Sequence, residues 1–149
     1  LDFFGSNVSE NISISANGGR ALLFRDVANV TMDLDDVERI ELRTFGGADN
    51  IVIGDLSGTD VTQVSVDLRG PNGGGDGAAD TITANGTNGD DAFGVAGDAG
   101  GITVFGLQAG INIFFQEQDG PPIIKEHIIP LREKNIGRKL PPSVKLKHH

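Results

Sequence analysis

Residues 64–68 read Val64-Ser65-Val66-Asp67-Leu68, and residues 11–15 read Asn11-Ile12-Ser13-Ile14-Ser15. Both alternate apolar with polar side chains. Successive residues of a strand point to opposite faces, so each stretch gathers its apolar groups on one side. The same alternation wound into a helix would scatter them around the axis. Working outward, the first stretch extends back to Val61. Similar short runs occupy residues 21–24, 29–34, 38–42, 50–53, 80–84, 92–96, 102–105 and 111–115. Clusters of Gly, Asp and Asn separate them, which is turn chemistry. Residues 35–39 read as a turn entering a strand. The pattern predicts an all-β chain.

Composition narrows the function classes. The chain has 149 residues, which suits one domain or one slice of a longer repetitive protein. It has 22 Gly and no Cys, so it holds no disulfide, thiol nucleophile or Cys-type zinc site. No apolar run approaches the ~20 residues of a membrane-spanning helix. The formal net charge of -9 repels the phosphates of nucleic acid. The expected partners therefore include neither nucleic acid nor a membrane interior.

Charge divides the chain in two. Residues 1–122 carry five arginines, no lysine and nineteen acidic side chains, whereas residues 123–149 carry seven basic and two acidic ones. The first zone is the Gly/Asp-rich β domain. The basic second zone has two open readings. In one, Ile123, Ile124, Ile128, Ile129 and Leu131 cap the open end of a β stack. In the other it is foreign to the domain, ending in a tag-like His148-His149.

A shift of 81 residues sets residues 5–32 over residues 86–113 without a gap. Gly5, Asn7, Gly19, Phe24 and Ala28 then meet identical residues, and Ile12, Ile14, Leu23, Val30 and Met32 meet apolar ones. This gives about one and a half copies of a repeat. Two architectures accommodate such a period. A β-solenoid of stacked rungs is favoured, because the runs are thin and aromatic residues are few. A β-sandwich repeat domain is the alternative.

One stretch carries metal chemistry in its pattern. Gly86-Thr87-Asn88-Gly89-Asp90-Asp91-Ala92-Phe93-Gly94 departs from the nonapeptide G-G-x-G-x-D-x-U-x only at Thr87. Glycines allow the tight turn, Asp supplies a hard oxygen, and the apolar residue plugs the loop into the core. Gly47-Ala48-Asp49-Asn50-Ile51 keeps the core of the pattern, and residues 74–82 keep it with one insertion. The candidate calcium ligands are Asp49, Asp76, Asp80, Asp90 and Asp91, with the backbone of Gly47, Gly77 and Gly89. Calcium takes six to eight oxygens, so one loop supplies half a site and needs a neighbouring turn. Asp49, Asp80 and Asp91 lie 31 and 11 residues apart, neither a multiple of nine. The competing reading is that these side chains close turns by accepting backbone N–H groups.

On these motifs, with residues 37–42, 55–59 and 64–68, the stretch 37–113 resembles repetitive bacterial surface or secreted proteins associated with haemolysin-type calcium-binding repeats. The resemblance implies an extracellular or cell-surface location, calcium as a structural ion, and neighbouring repeats of a parent protein as partners. The expected function is a non-enzymatic scaffold segment. One alternative is an adhesin-type module that binds extracellular carbohydrate or protein. Another is a fragment of a calcium-dependent enzyme acting on polysaccharide. Catalytic sets are thin. His127 is the only histidine away from the terminus, and no Ser stands in a recognisable nucleophile–base pattern. No catalytic residue is expected.

Overall fold

The computed structural model describes residues 1–97 and 101–115, together with the strands at 123–127 and 145–148. Eleven strands precede residue 116: β1 (Asp2–Ser6), β2 (Asn11–Asn17), β3 (Arg20–Arg25), β4 (Val30–Leu34), β5 (Arg39–Phe45), β6 (Asn50–Ile53), β7 (Gln63–Asp67), β8 (Thr81–Asn85), β9 (Gly94–Gly97), β10 (Gly101–Phe105) and β11 (Gly110–Phe114). Two more, β12 (Ile123–His127) and β13 (Lys145–His148), come from the basic zone. Apart from a single turn of 3-10 helix at Val27–Asn29, no helix occurs among the described residues. None is long and apolar enough to cross a membrane. The chain is all-β.

The strands form two mixed sheets. One runs β1-β5-β7-β11-β10-β9 and the other β13-β12-β8-β6-β2-β3-β4. The chain repeatedly leaves the first sheet for the second: β1 leads to β2, β5 to β6, and β7 to β8. Strands of successive crossings pair in parallel, β1 with β5 with β7 with β11, and β2 with β6 with β8 with β12. Antiparallel meanders extend both sheets, β2-β3-β4 in one and β9-β10-β11 in the other. The molecule is thus neither an all-parallel coil nor an all-antiparallel sandwich.

The segments matched by the 81-residue shift supply the two meanders, yet they lie in different sheets rather than one above the other. Ile14 pairs with Leu23 and, 81 residues on, Val95 pairs with Val104. The next hairpin slips: Leu23 pairs with Met32, but Val104 pairs with Ile111 instead of Ile113. A slip of two residues keeps every side chain on its face, so the apolar pattern survives.

Parallel register lines up the core. Ile12, Ile51 and Ile82 form one column, and Ile14, Ile53 and Ala84 the next. Opposite them stand Ile40, Val64 and Ile111, then Leu42, Val66 and Ile113. All twelve are buried in one cluster shared by both sheets. Each large aliphatic side chain so buried contributes roughly 1.5–3 kcal/mol. No crossing covers its own apolar edge; the strands above and below complete it.

All ten sequence-predicted runs became strands, with ends displaced by up to three residues. β1 was not foreseen, because Asp2-Phe3-Phe4-Gly5-Ser6 breaks the alternation with two adjacent rings and a glycine. The glycine has a packing reason. A Cβ on Gly5 would collide with Glu10 Oε2 and lie 3.1 Å from the Thr44 carbonyl, so its absence makes room for a buried carboxylate.

Candidate functional site

The chemistry of the molecule gathers at the corner where the chain passes from the first sheet to the second. Three crossings enter their second strand in the same way: Glu10-Asn11-Ile12, Asp49-Asn50-Ile51 and Asp80-Thr81-Ile82. Parallel register stacks Asn11 on Asn50 on Thr81, and therefore the three acids on one another. Glu10, Asp49 and Asp80 are only 1%, 2% and 7% exposed. Carboxylates are almost never this buried unless partnered.

Asp49 and Asp80 each accept a backbone N–H from the neighbouring crossing. The Glu10 N–H donates to Asp49 Oδ1 at 2.9 Å, and the Asp49 N–H donates to Asp80 Oδ1 at 2.9 Å. Beside them the Asn50 N–H donates to the Glu10 carbonyl at 2.9 Å and the Thr81 N–H to the Asp49 carbonyl at 2.8 Å. Asp49 and Asp80 thus each extend the sheet ladder by one rung around the corner, where a bare turn would leave N–H groups orphaned. Asn50 Nδ2 adds a bond to Asn11 Oδ1 at 3.2 Å.

Glu10 ends the column and takes a cation. Its Oε1 accepts from Arg25 Nε at 2.8 Å and from Ser6 Oγ at 2.7 Å, and it forms an ion pair with Arg25 Nη2. Arg25 Nη2 also donates to Ser6 Oγ at 3.0 Å, and the guanidinium lies 6.0 Å from the centre of the Phe3 ring. The Glu10 side chain is 0% exposed and that of Arg25 13%. Asp49, in the middle, is less well served. Its Oδ2 and the hydroxyl of Thr44 are both buried without a hydrogen bond. Burial pushes the Asp49 carboxyl up to about 7. The nearby Thr44 hydroxyl and the Glu10 N–H oppose that rise, while the charges of Asp80 and Glu10 add to it.

The predicted calcium ligands fall at several places along the chain. Asp49 and Asp80 are column members. Asp76 is exposed and fastens the long loop to the corner, accepting the Gly47 N–H on Oδ2 at 2.7 Å and the Ala78 N–H on Oδ1 at 2.9 Å. Asp91 accepts the Thr87 N–H and the Thr87 hydroxyl, each at 2.9 Å. Asp90 is exposed, Gly89 donates to Thr87 Oγ1 at 3.2 Å, and Gly77 sits at φ 80° in its turn. Among the described residues, no three of these carboxylates converge. The group that does is Asp35, Asp36 and Asp60, whose ligand oxygens lie within 4.8 Å of one another in an exposed position. Arg20 already pairs there with Asp35 at 2.8 Å.

Compared with known proteins, the chain matches no family model, and neither a curated protein nor a solved structure proved similar to it. Its own geometry therefore carries the functional reading.

Gly47 has a role the calcium motif disguised. At φ 102° it occupies a conformation that favours glycine, and a Cβ there would lie 2.5 Å from both Val8 C and Ser9 N. The adjacent Ala48 N–H donates to Ser9 Oγ at 2.9 Å, which explains the close approach of the two corners. Gly47→Ala is expected to cost about 2 kcal/mol, the scale of a strained backbone position. Urea unfolding of the two chains measures it; equal midpoints would show that the corners do not need this approach.

Sequence reasoning found two of the three column acids and gave them another role. Glu10 was missed, although its signal is plain in retrospect: an acid, then Asn or Thr, then Ile, three times at the start of a strand.

Proposed function

We propose that this chain is a non-enzymatic structural segment, a solenoid-like β stack that serves as a rigid spacer or scaffold within a larger secreted or cell-surface protein. The observation that carries the reading is the in-register parallel pairing of successive crossings, with apolar columns inside and an acid column at the corner. Such a stack transmits position along its axis, because every layer is fixed to the next by a strand ladder and a buried column. At the corner Asp49 and Asp80 hold backbone N–H groups of the neighbouring crossings, and Glu10 holds Arg25. The likeness of residues 37–113 to haemolysin-type calcium-binding repeat proteins supports the extracellular setting.

In this reading the acid column, rather than an ion, fastens the corners. Calcium stabilisation is the competing account, and one experiment separates the two. The chain has no cysteine, so Asn17→Cys and Thr103→Cys, both at exposed positions, accept a pair of dyes uniquely. A rigid spacer gives one narrow distance distribution, and the column account leaves that distribution and the melting temperature unchanged when calcium is replaced by chelator. A broad distribution in either condition would overturn the spacer. A narrow distribution that collapses in chelator would keep the spacer and assign the corners to calcium.

A further inference from the structure

The outer face of the first sheet is unlike the rest of the surface. Parallel register sets Phe4, Arg43, Asp67 and Phe114 in one row across β1, β5, β7 and β11. Asp2, Glu41, Ser65, Asn112 and Thr103 make the adjacent row. Phe4 is 55% and Phe114 44% exposed; Phe105, on β10 of the same sheet, is exposed as well, while the second sheet leaves only Phe24 open among the described residues. Arg43 reaches over the Phe4 ring at 5.8 Å and Arg69 over the Phe114 ring at 6.0 Å. Along the row, from Arg43 to Phe114, lies a shallow depression of about 260 Å³, lined among others by Glu41, Gln63, Asp67 and Asn112.

Charge on this face sets it apart. Residues 1–122 contain five arginines against nineteen acids, and three of the five, Arg39, Arg43 and Arg69, belong to this face. Their charges match those of Asp2, Glu41 and Asp67, and the N-terminal ammonium bonds to the Arg39 carbonyl at the sheet edge, so the face escapes the acidity of the body. Arg69 is held by Asp67 through bonds of 2.8 and 2.7 Å. Partial burial pushes the Asp67 carboxyl up, but this guanidinium, helped by Arg43, outweighs it and leaves the carboxyl below its ordinary value. The Arg43 guanidinium, by contrast, makes no hydrogen bond or ion pair within 4 Å among the described residues; it lies over the Phe4 ring and acts on Asp67 only through its charge.

We infer that this face binds an uncharged polysaccharide, laid along the row from Phe4 to Phe114. A sugar ring offers an apolar C–H face and hydroxyls that both donate and accept. The exposed rings match the first, and a mixture of carboxylate, amide and guanidinium groups matches the second. The near balance of charge along the row disfavours strong attraction for a polyanion or a polycation. A protein partner fits less well, because the centres of protein interfaces are depleted of charge and this centre is built from it. The row spans three strand spacings of ~4.8 Å, long enough for an extended oligosaccharide rather than a single sugar. The site is independent of the spacer reading: a flexible chain would still carry it, and a rigid spacer would stand without it.

Affinity electrophoresis of the full chain through gels containing a neutral β-glucan, a galactomannan or alginate tests the inference. Retardation is expected in at least one neutral polymer, insensitive to salt, with Phe114→Ala and Arg43→Ala each weakening it by about tenfold. Both side chains are exposed, so the melting temperature reports separately that the variants fold. Three results would overturn the assignment: no retardation in either neutral polymer, retardation that survives both substitutions, or retardation by alginate alone that vanishes with salt.

Discussion

Arg25→Ala is expected to destabilise the chain by about 3–5 kcal/mol, the usual consequence of removing one partner from a buried ion pair. The reason is the environment of Glu10. Its side chain is wholly buried, and the Arg25 guanidinium is the cation facing it. Without Arg25 the carboxylate keeps the Ser6 hydroxyl at 2.7 Å and a longer bond from the Ser6 N–H at 3.3 Å, which do not neutralise it. The loss should be specific to that charge. Glu10→Gln added to Arg25→Ala is therefore expected to restore at least half of the stability, because a neutral amide tolerates the same pocket. Exposed pairs such as Arg20 with Asp33, where both side chains are around half exposed, serve as the control. Arg20→Ala is expected to cost less than about 1 kcal/mol. Urea unfolding of the four chains decides the matter. If Arg25→Ala costs no more than Arg20→Ala, the corner is better hydrated than its burial implies, and the acid column is not what fastens it.

The strands were legible in the sequence because their cause is local. Val64-Ser65-Val66-Asp67-Leu68 alternates whatever lies next to it, and a period of two leaves one arrangement that buries its valines. The order of strands was not legible, because nothing local tells β5 to lie between β1 and β7. Register between crossings depends on loop lengths as different as 46–49 and 68–80. The carboxylates were legible as turn residues, and two of them, Asp49 and Asp80, also accept backbone N–H groups across the stack. A Gly-x-Asp-x-apolar pattern serves calcium when the next turn repeats it in register, and it serves a backbone ladder when the next crossing brings an N–H to the same point. Asp49 shows the difference: its Oδ1 is met by the N–H of Glu10, which lies 39 residues away in the chain. Both readings share the turn chemistry, so the sequence alone does not separate them. Gly5 and Gly47 were visible as glycines, but the reason for each lies across the corner, in Glu10 and in Val8–Ser9.

Asp49→Asn tests the middle of the column, and it is expected to stabilise the chain at pH 8 while leaving it nearly unchanged at pH 4. The folded carboxyl titrates near 7 against an ordinary value of 3.8. Between these values the folded chain keeps a proton that the unfolded chain has released. Folding stability therefore falls as pH rises from about 4 to about 7, by at most about 4 kcal/mol. Below that window Asp49 is protonated in both states and adds no dependence. Asp67 acts in the opposite sense and elsewhere: its lowered carboxyl contributes stability above 3.8 that is lost only as pH falls further. Asparagine reproduces the protonated acid. Its carbonyl oxygen can keep the N–H of Glu10, and its amide brings a donor to Thr44 Oγ1, which has no hydrogen bond in the parent chain. Urea unfolding of both chains from pH 4 to pH 8 is the measurement. The parent curve should descend across the window and the curve of the Asp49→Asn variant should stay level, the two separating as pH rises. Parallel curves would mean that Asp49 stays ionised in its buried place, held by the Glu10 N–H strongly enough to offset its desolvation and the neighbouring charges of Glu10 and Asp80.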